Sequence, residues 1–221
     1  MTNPQATRVA DDEGFAILDW LRLRTRYLVA GAAIVLVAGV GYWFYTRSAQ
    51  IKSARAEQSL LQAKQAMMQG NTALAENDLQ NVLRRYGNTR AGVEAGLVLA
   101  ELRYGKGQYQ EGVDALRKLV GTSAAGASLS KIHALIGDGQ LQMGKPADAV
   151  ESYQRAADQA RFDGQRAYAL SKKAAALTVA GKTADARRIW EQLATEPWAV
   201  SVASEARVRL GELEAQQARR S

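Results

Sequence analysis

The sequence has no cysteine, three prolines and a single histidine, His133, in 221 residues. Without cysteine there is no disulfide framework, no thiolate metal site and no cysteine nucleophile. An oxidising compartment stays open, because a helical body of this size needs no covalent staples. One histidine does not supply the imidazole set of a zinc centre. The chain also lacks a dense basic run with interleaved aromatics and carries no nucleic-acid-binding motif, so its formal charge of +7 does not read as nucleic-acid binding. The first 46 residues hold four basic and four acidic side chains, so the excess lies in the remainder, 25 basic against 18 acidic. That spread suits anionic lipid headgroups, acidic partners or simply a solvated mixed-charge surface.

What the chain does have is one long uncharged run, residues 27–46, YLVAGAAIVLVAGVGYWFYT. Twenty helical residues cover roughly the 30 Å of a bilayer's hydrocarbon core. The run ends in Tyr42, Trp43, Phe44 and Tyr45, an interfacial aromatic belt, with Trp20 and Tyr27 as the belt at the other end. No A-x-A-like triplet follows, so the segment reads as a retained transmembrane anchor and not as a cleaved signal peptide. Ahead of it, residues 1–14 read as a polar, disordered tail and residues 15–26, FAILDWLRLRTR, as an amphipathic interfacial helix. Arg22, Arg24 and Arg26 precede the span closely and only Arg47 follows it closely, although wider windows approach parity. This bias places the N-terminus in the cytoplasm and, for a bacterial inner membrane, the body in the periplasm. Three domains result: a cytoplasmic head, 1–26; a transmembrane anchor, 27–46; and a periplasmic body, 47–221.

The body repeats. Gly70, Gly107, Gly144 and Gly181 are spaced 37 residues apart. Seven residues before each stand Ala63, Ala100, Gly137 and Ala174; five after stand Ala75, Gly112, Ala149 and Ala186. Nine after come Leu79, Leu116, Tyr153 and Trp190, and twelve after come Val82, Leu119, Ala156 and Leu193. The physical reading is two helices per unit, reversed at a glycine, approaching closely over small residues with a bulky side chain filling the gap. One pair cannot bury both faces, so the units stack. The expected pairs are 49–69 with 72–86, 91–105 with 108–120, 128–143 with 146–160, and 164–180 with 183–195. A polar-ended capping helix is expected over about 198–217. The fold class is therefore all-α: a single N-terminal transmembrane helix, then an α-solenoid of about four helix pairs and a cap.

The small–glycine–small–large pattern resembles the tetratricopeptide repeat, most closely in ALIGDGQLQMGKPADAVESYQRA and KKAAALTVAGKTADARRIWEQLA. The period departs from that family's usual 34, and its terminal proline is missing, Pro197 aside. Taken with the lead DDEGFAILDWLRLRTR, the span ending YWFYTRSAQ and the helix ARAEQSLLQAKQAM, nearly the whole chain resembles the YfgM-like family of ancillary subunits of the bacterial Sec translocon. That resemblance implies an inner-membrane protein whose periplasmic repeats associate with the translocon and with periplasmic chaperones, and which helps hand over emerging unfolded polypeptides. A scaffold of envelope assembly or cell division would use the same fold.

In tetratricopeptide-like solenoids the first helix of each pair lines the concave face. Carried over by phase, the candidate partner-binding residues are Glu57, Glu94, Lys131 and Tyr168, thirteen before each glycine. Lys64, Glu101 and Asp138 stand six before, and Met67, Tyr104 and Leu141 three before. The last set either accepts varied apolar segments or packs inside its own turn. The charged positions are mixed in sign and lack the Lys/Asn set of carboxylate-clamp repeats. Two strings imitate a P-loop, GQLQMGKP (139–146) and ALTVAGKT (176–183), but both run from a helix into a repeat turn. No catalytic arrangement, cofactor or small-molecule substrate is called for, and the chain reads as non-enzymatic.

Overall fold

Every helix-to-helix reversal within a repeat is made the same way. Gly70, Gly107, Gly144 and Gly181 have φ of 75°, 76°, 71° and 75°. The next residue donates its backbone N–H five residues back: Asn71 to Ala66, Gln108 to Arg103, Lys145 to Gln140, and Lys182 to Leu177, each at 2.9 Å. This is the Schellman closure, which satisfies carbonyls left open at a helix end and needs a residue free to take positive φ.

The protein is described here by a computed structural model covering the backbone of residues 8–219, with side chains from Tyr27 on except Leu28. It divides into two compact units, Met1–Ile51 and Lys52–Ser221. Helix α1 is Arg8–Met68, α2 Thr72–Tyr86, α3 Arg90–Gly105 and α4 Tyr109–Val120. After a 3-10 turn at Ser123–Ser128 come α5 Leu129–Gln142, α6 Pro146–Asp158, α7 Asp163–Val179 and α8 Thr183–Thr195. A second 3-10 turn, Pro197–Ala199, precedes α9, Ala203–Ala218. No strand occurs among the described residues.

The repeat boundaries expected from the glycine phase are met within one or two residues at most helix ends. Two expectations need correction. No helix starts near Ala49: α1 is already helical from Arg8. Residues 8–14, expected in a disordered tail, belong to it, because Gly14 alone is too weak an interruption to break a long helix. The last helix starts at Ala203 and not near 198, since Pro197 opens a separate 3-10 turn. The expected tail conformation of residues 1–7 and the amphipathic side-chain pattern of residues 15–26 lie outside the described residues.

From Val29 on, α1 is long and apolar enough to cross a membrane, and none of its most apolar window is buried. Ile34, Val35, Leu36, Val37, Val40, Trp43 and Phe44 are all exposed.

In the second unit the bulky residues nine after each glycine are among the largest fully buried side chains: Leu79, Leu116, Tyr153 and Trp190. The small residues at the phased positions make room for them. Where the bulky residue is Tyr153, the position seven before the turn is Gly137, and a Cβ there would meet the ring at 2.7 Å. Core clusters run across successive pairs. One joins Ala56, Leu60 and Ala63 of α1 with Leu79, Ala91, Ala95 and Leu99. The next joins α3, α4 and α5 through Val93, Leu97, Val113, Leu116 and Ile132. The last joins α5 to α9 around Trp190, Leu170 and Leu213. These clusters, each spanning neighbouring helix pairs, are the core expected of a stacked-repeat solenoid.

Candidate protein-interaction face

The first helices of successive pairs touch, α3 with α5 and α5 with α7. The candidate residues therefore come together across repeats. Two clefts open along this face. The larger, about 490 Å³, takes Glu101 from α3, Lys131, Ala134, Leu135 and Asp138 from α5, and Gly164 and Tyr168 from α7. The smaller, about 330 Å³, takes Glu57, Leu61 and Lys64 from α1 and Arg90 and Glu94 from α3. All seven candidates at thirteen and six before the turn glycines line one cleft or the other.

Four of their six charges pair with one another across repeats. Lys64 bridges to Glu94 on the next repeat. Lys131 bridges back to Glu101 at 3.0 Å. Asp138 takes Lys172 of α7 at 3.1 Å and accepts the Tyr153 hydroxyl at 2.6 Å. Burial opposes the charge on Lys172, but the charge and hydrogen bond of Asp138 outweigh it and raise the ammonium pKa. Burial, then the hydrogen bond to Asp138, push the Tyr153 phenol above its usual range, so it stays a donor. The ammonium of Lys172 also sits 5.5 Å from the centroid of the Tyr168 ring.

The three candidates nearest the turns line neither cleft and differ among themselves. Met67 is 37% exposed. Leu141 packs beside Ala149, Tyr153 and Ala176. Tyr104 is a plug: its hydroxyl donates to the Leu135 carbonyl at 2.8 Å. A Cβ on Gly112 or Gly139 would meet Tyr104 at 2.4 Å. Burial, then the Asp138 charge, raise its phenol pKa. Sequence reasoning missed Lys172, nine before its glycine, where the earlier repeats have Leu61, Val98 and Leu135. The signal was there, as a lone cation in an apolar series.

The glycine before the lysine in each P-loop-like string, Gly144 and Gly181, is the left-handed residue of a helix-to-helix turn, entered from α5 and α7. No strand precedes them, and the chain turns into the next helix instead of wrapping a phosphate. His133 is buried, with its pKa lowered by burial and then by Arg155, so it is held neutral. Among the described residues no group of three or more His, Cys, Asp or Glu is placed to hold a metal.

No protein-family model matches the chain, and no curated protein matches it. Solved structures do. The crystal structure of MamA aligns at TM-score 0.52 and 17% identity, over 72% of this chain and 86% of that one. The crystal structure of the nearly identical TPR-like repeats of a putative kinesin light chain from Podosopora anserina aligns at TM-score 0.53 and 17% identity, over 74% of this chain and 92% of that one. At such identities the likeness is one of fold, and it agrees with the four Schellman turns and the stacked pairs: the chain carries a tetratricopeptide-like repeat domain.

Proposed function

We propose that the protein is a membrane-anchored protein-interaction module that works beside the Sec translocon. It captures segments of emerging polypeptides reversibly and helps pass them to periplasmic chaperones. The observation that carries the interaction reading is the pair of clefts along the first helices, whose linings include seven candidate side chains from four repeats. The exposed apolar length of α1 supports an anchor, and the arginines before it support a cytoplasmic N-terminus and a periplasmic repeat domain in the bacterial inner membrane. The translocon assignment is supported by the whole-chain resemblance to the YfgM-like family. The mechanism involves no bond-making: binding on the repeat face, with the anchor tethering the repeat domain to the membrane. Affinity purification of the tagged protein after mild solubilisation tests it. Recovery of the translocon subunits supports the reading. Their absence, with full recovery of a cell-division or envelope-assembly complex, replaces it with the scaffold reading.

A further inference from the structure

The charge ladder on the first-helix face breaks once, and the break stands in the wall of the larger cleft. At the first two junctions the residue six before a turn glycine pairs with the residue thirteen before the next: Lys64 with Glu94, and Glu101 with Lys131. At the third junction Asp138 is in place, but the residue thirteen before Gly181 is Tyr168. The amine comes instead from Lys172, four residues further along α7. Asp138 is neutralised without Tyr168, and the ring is left 47% exposed in the cleft beside Ala134 and Leu135.

Resting on the protein-interaction reading above, we propose that this cleft is the anchor subsite of the face. Its occupant is an uncharged apolar side chain, leucine or phenylalanine, in a partner segment without neighbouring charges. Charge complementarity carries the choice. Both lining carboxylates already hold an ammonium, Glu101 at 3.0 Å and Asp138 at 3.1 Å, and Asp138 also holds the Tyr153 hydroxyl. A charged group entering the cleft finds each lining charge already paired, whereas an apolar group leaves those pairs intact and covers Leu135 and the Tyr168 ring. Exposed pairs of this kind add little to stability. Their effect here is to make the cleft rim electrically neutral. An aromatic side chain of two rotatable bonds, held beside an apolar floor, has the character of an interface hot spot.

The test uses the full-length protein in lipid nanodiscs and a short fluorescent Gly/Ser peptide with a central Leu-Phe pair, with Asp- and Lys-containing versions beside it. Binding is read by fluorescence anisotropy above that of empty nanodiscs. The neutral peptide is expected to bind best, with an affinity that does not fall as salt is raised. Tyr168→Ala is expected to weaken it about thirtyfold, the scale of one hot-spot residue, and Tyr168→Phe to keep it. Gly164→Leu provides a second variant, because a Cβ there meets nothing within 4 Å; the fold is kept, the cleft is filled, and binding is expected to fall as for Tyr168→Ala. Tighter, salt-sensitive binding of the Asp or Lys peptide overturns the subsite. So does unchanged binding in both Tyr168→Ala and Gly164→Leu, or no binding of any peptide. These outcomes leave translocon co-purification to judge the broader reading by itself.

Discussion

Tyr153 donates its hydroxyl to Asp138 at 2.6 Å, while its ring fills the space above Gly137. One side chain thus closes the third helix pair and fixes a carboxylate of the candidate face. Tyr153→Phe keeps the ring and removes the donor, and is expected to cost about 1–3 kcal/mol, the range for a hydrogen bond to a charged partner. Gly137→Ala is expected to cost about 1–3 kcal/mol through overpacking. The two positions touch, so Tyr153→Leu should relieve much of the Gly137→Ala penalty. A double-mutant cycle by urea denaturation followed by circular dichroism reads the coupling directly.

The Tyr104 plug makes a parallel prediction at the junction of α3, α4 and α5. Gly112→Ala and Gly139→Ala each place a Cβ 2.4 Å from Tyr104 atoms. Each is expected to lower stability by about 1–3 kcal/mol. Gly105→Ala, where a Cβ meets nothing within 4 Å, is expected to be neutral or stabilising by up to about 1 kcal/mol. Thermal unfolding of the three variants separates a close approach from a merely permissive glycine.

The turn glycines are a different case, decided by backbone conformation. Gly144 has a φ of 71° with open space around it. Gly144→Ala is therefore penalised through the left-handed conformation alone, about 1–2 kcal/mol, and Gly144→Asn less than that. Equilibrium unfolding of the two variants checks the order.

Acid should destabilise the repeats through two groups, His133 and Glu76. His133 is held below its ordinary value of 6.5, by burial first and Arg155 second. As pH falls below 6.5 the unfolded chain takes up a proton that the folded chain resists, so stability drops down to the folded-state value. His133→Gln removes that loss. Glu76 is held below its ordinary 4.5, most by its hydrogen bond from Lys106 at 2.7 Å and, against the cost of burial, with help from Arg103 at 3.2 Å. Its contribution is present above 4.5 and is lost as pH falls from there through the lowered value. Glu76→Gln should therefore be less stable than the parent at neutral pH and converge with it in strong acid. Denaturation curves across pH for the two variants give both windows.

Much of the fold was legible because its period is written in residue size. Glycine at the turn, small residues at close approach and a large residue between helices leave few alternatives, so the pairs from α2 to α8 fall where the phase puts them. The helical start of α1 was not legible, since polar residues before a span fit a tail as well as a helix. The start of α9 was misjudged because Pro197 suits the first turn of a helix as readily as a 3-10 turn. At the face, the positions lining the clefts followed from phase, but the pairing did not. Lys64 with Glu94 and Glu101 with Lys131 lie 30 residues apart, and only the stacking of one repeat on the next brings such pairs together. Met67, Tyr104 and Leu141 share one phase and meet three different surroundings. An apolar side chain near a turn satisfies the same pattern whether it plugs the core or faces solvent.

Site-specific photocrosslinking in cells tests the central claim most directly. A photoreactive residue is placed at Tyr168 and at Glu57, one in each cleft, and at Arg188, exposed on the second helix of the fourth pair. The account predicts covalent adducts with other proteins from Tyr168 and Glu57, and none from Arg188. Adducts from Arg188, with none from either cleft, would contradict it.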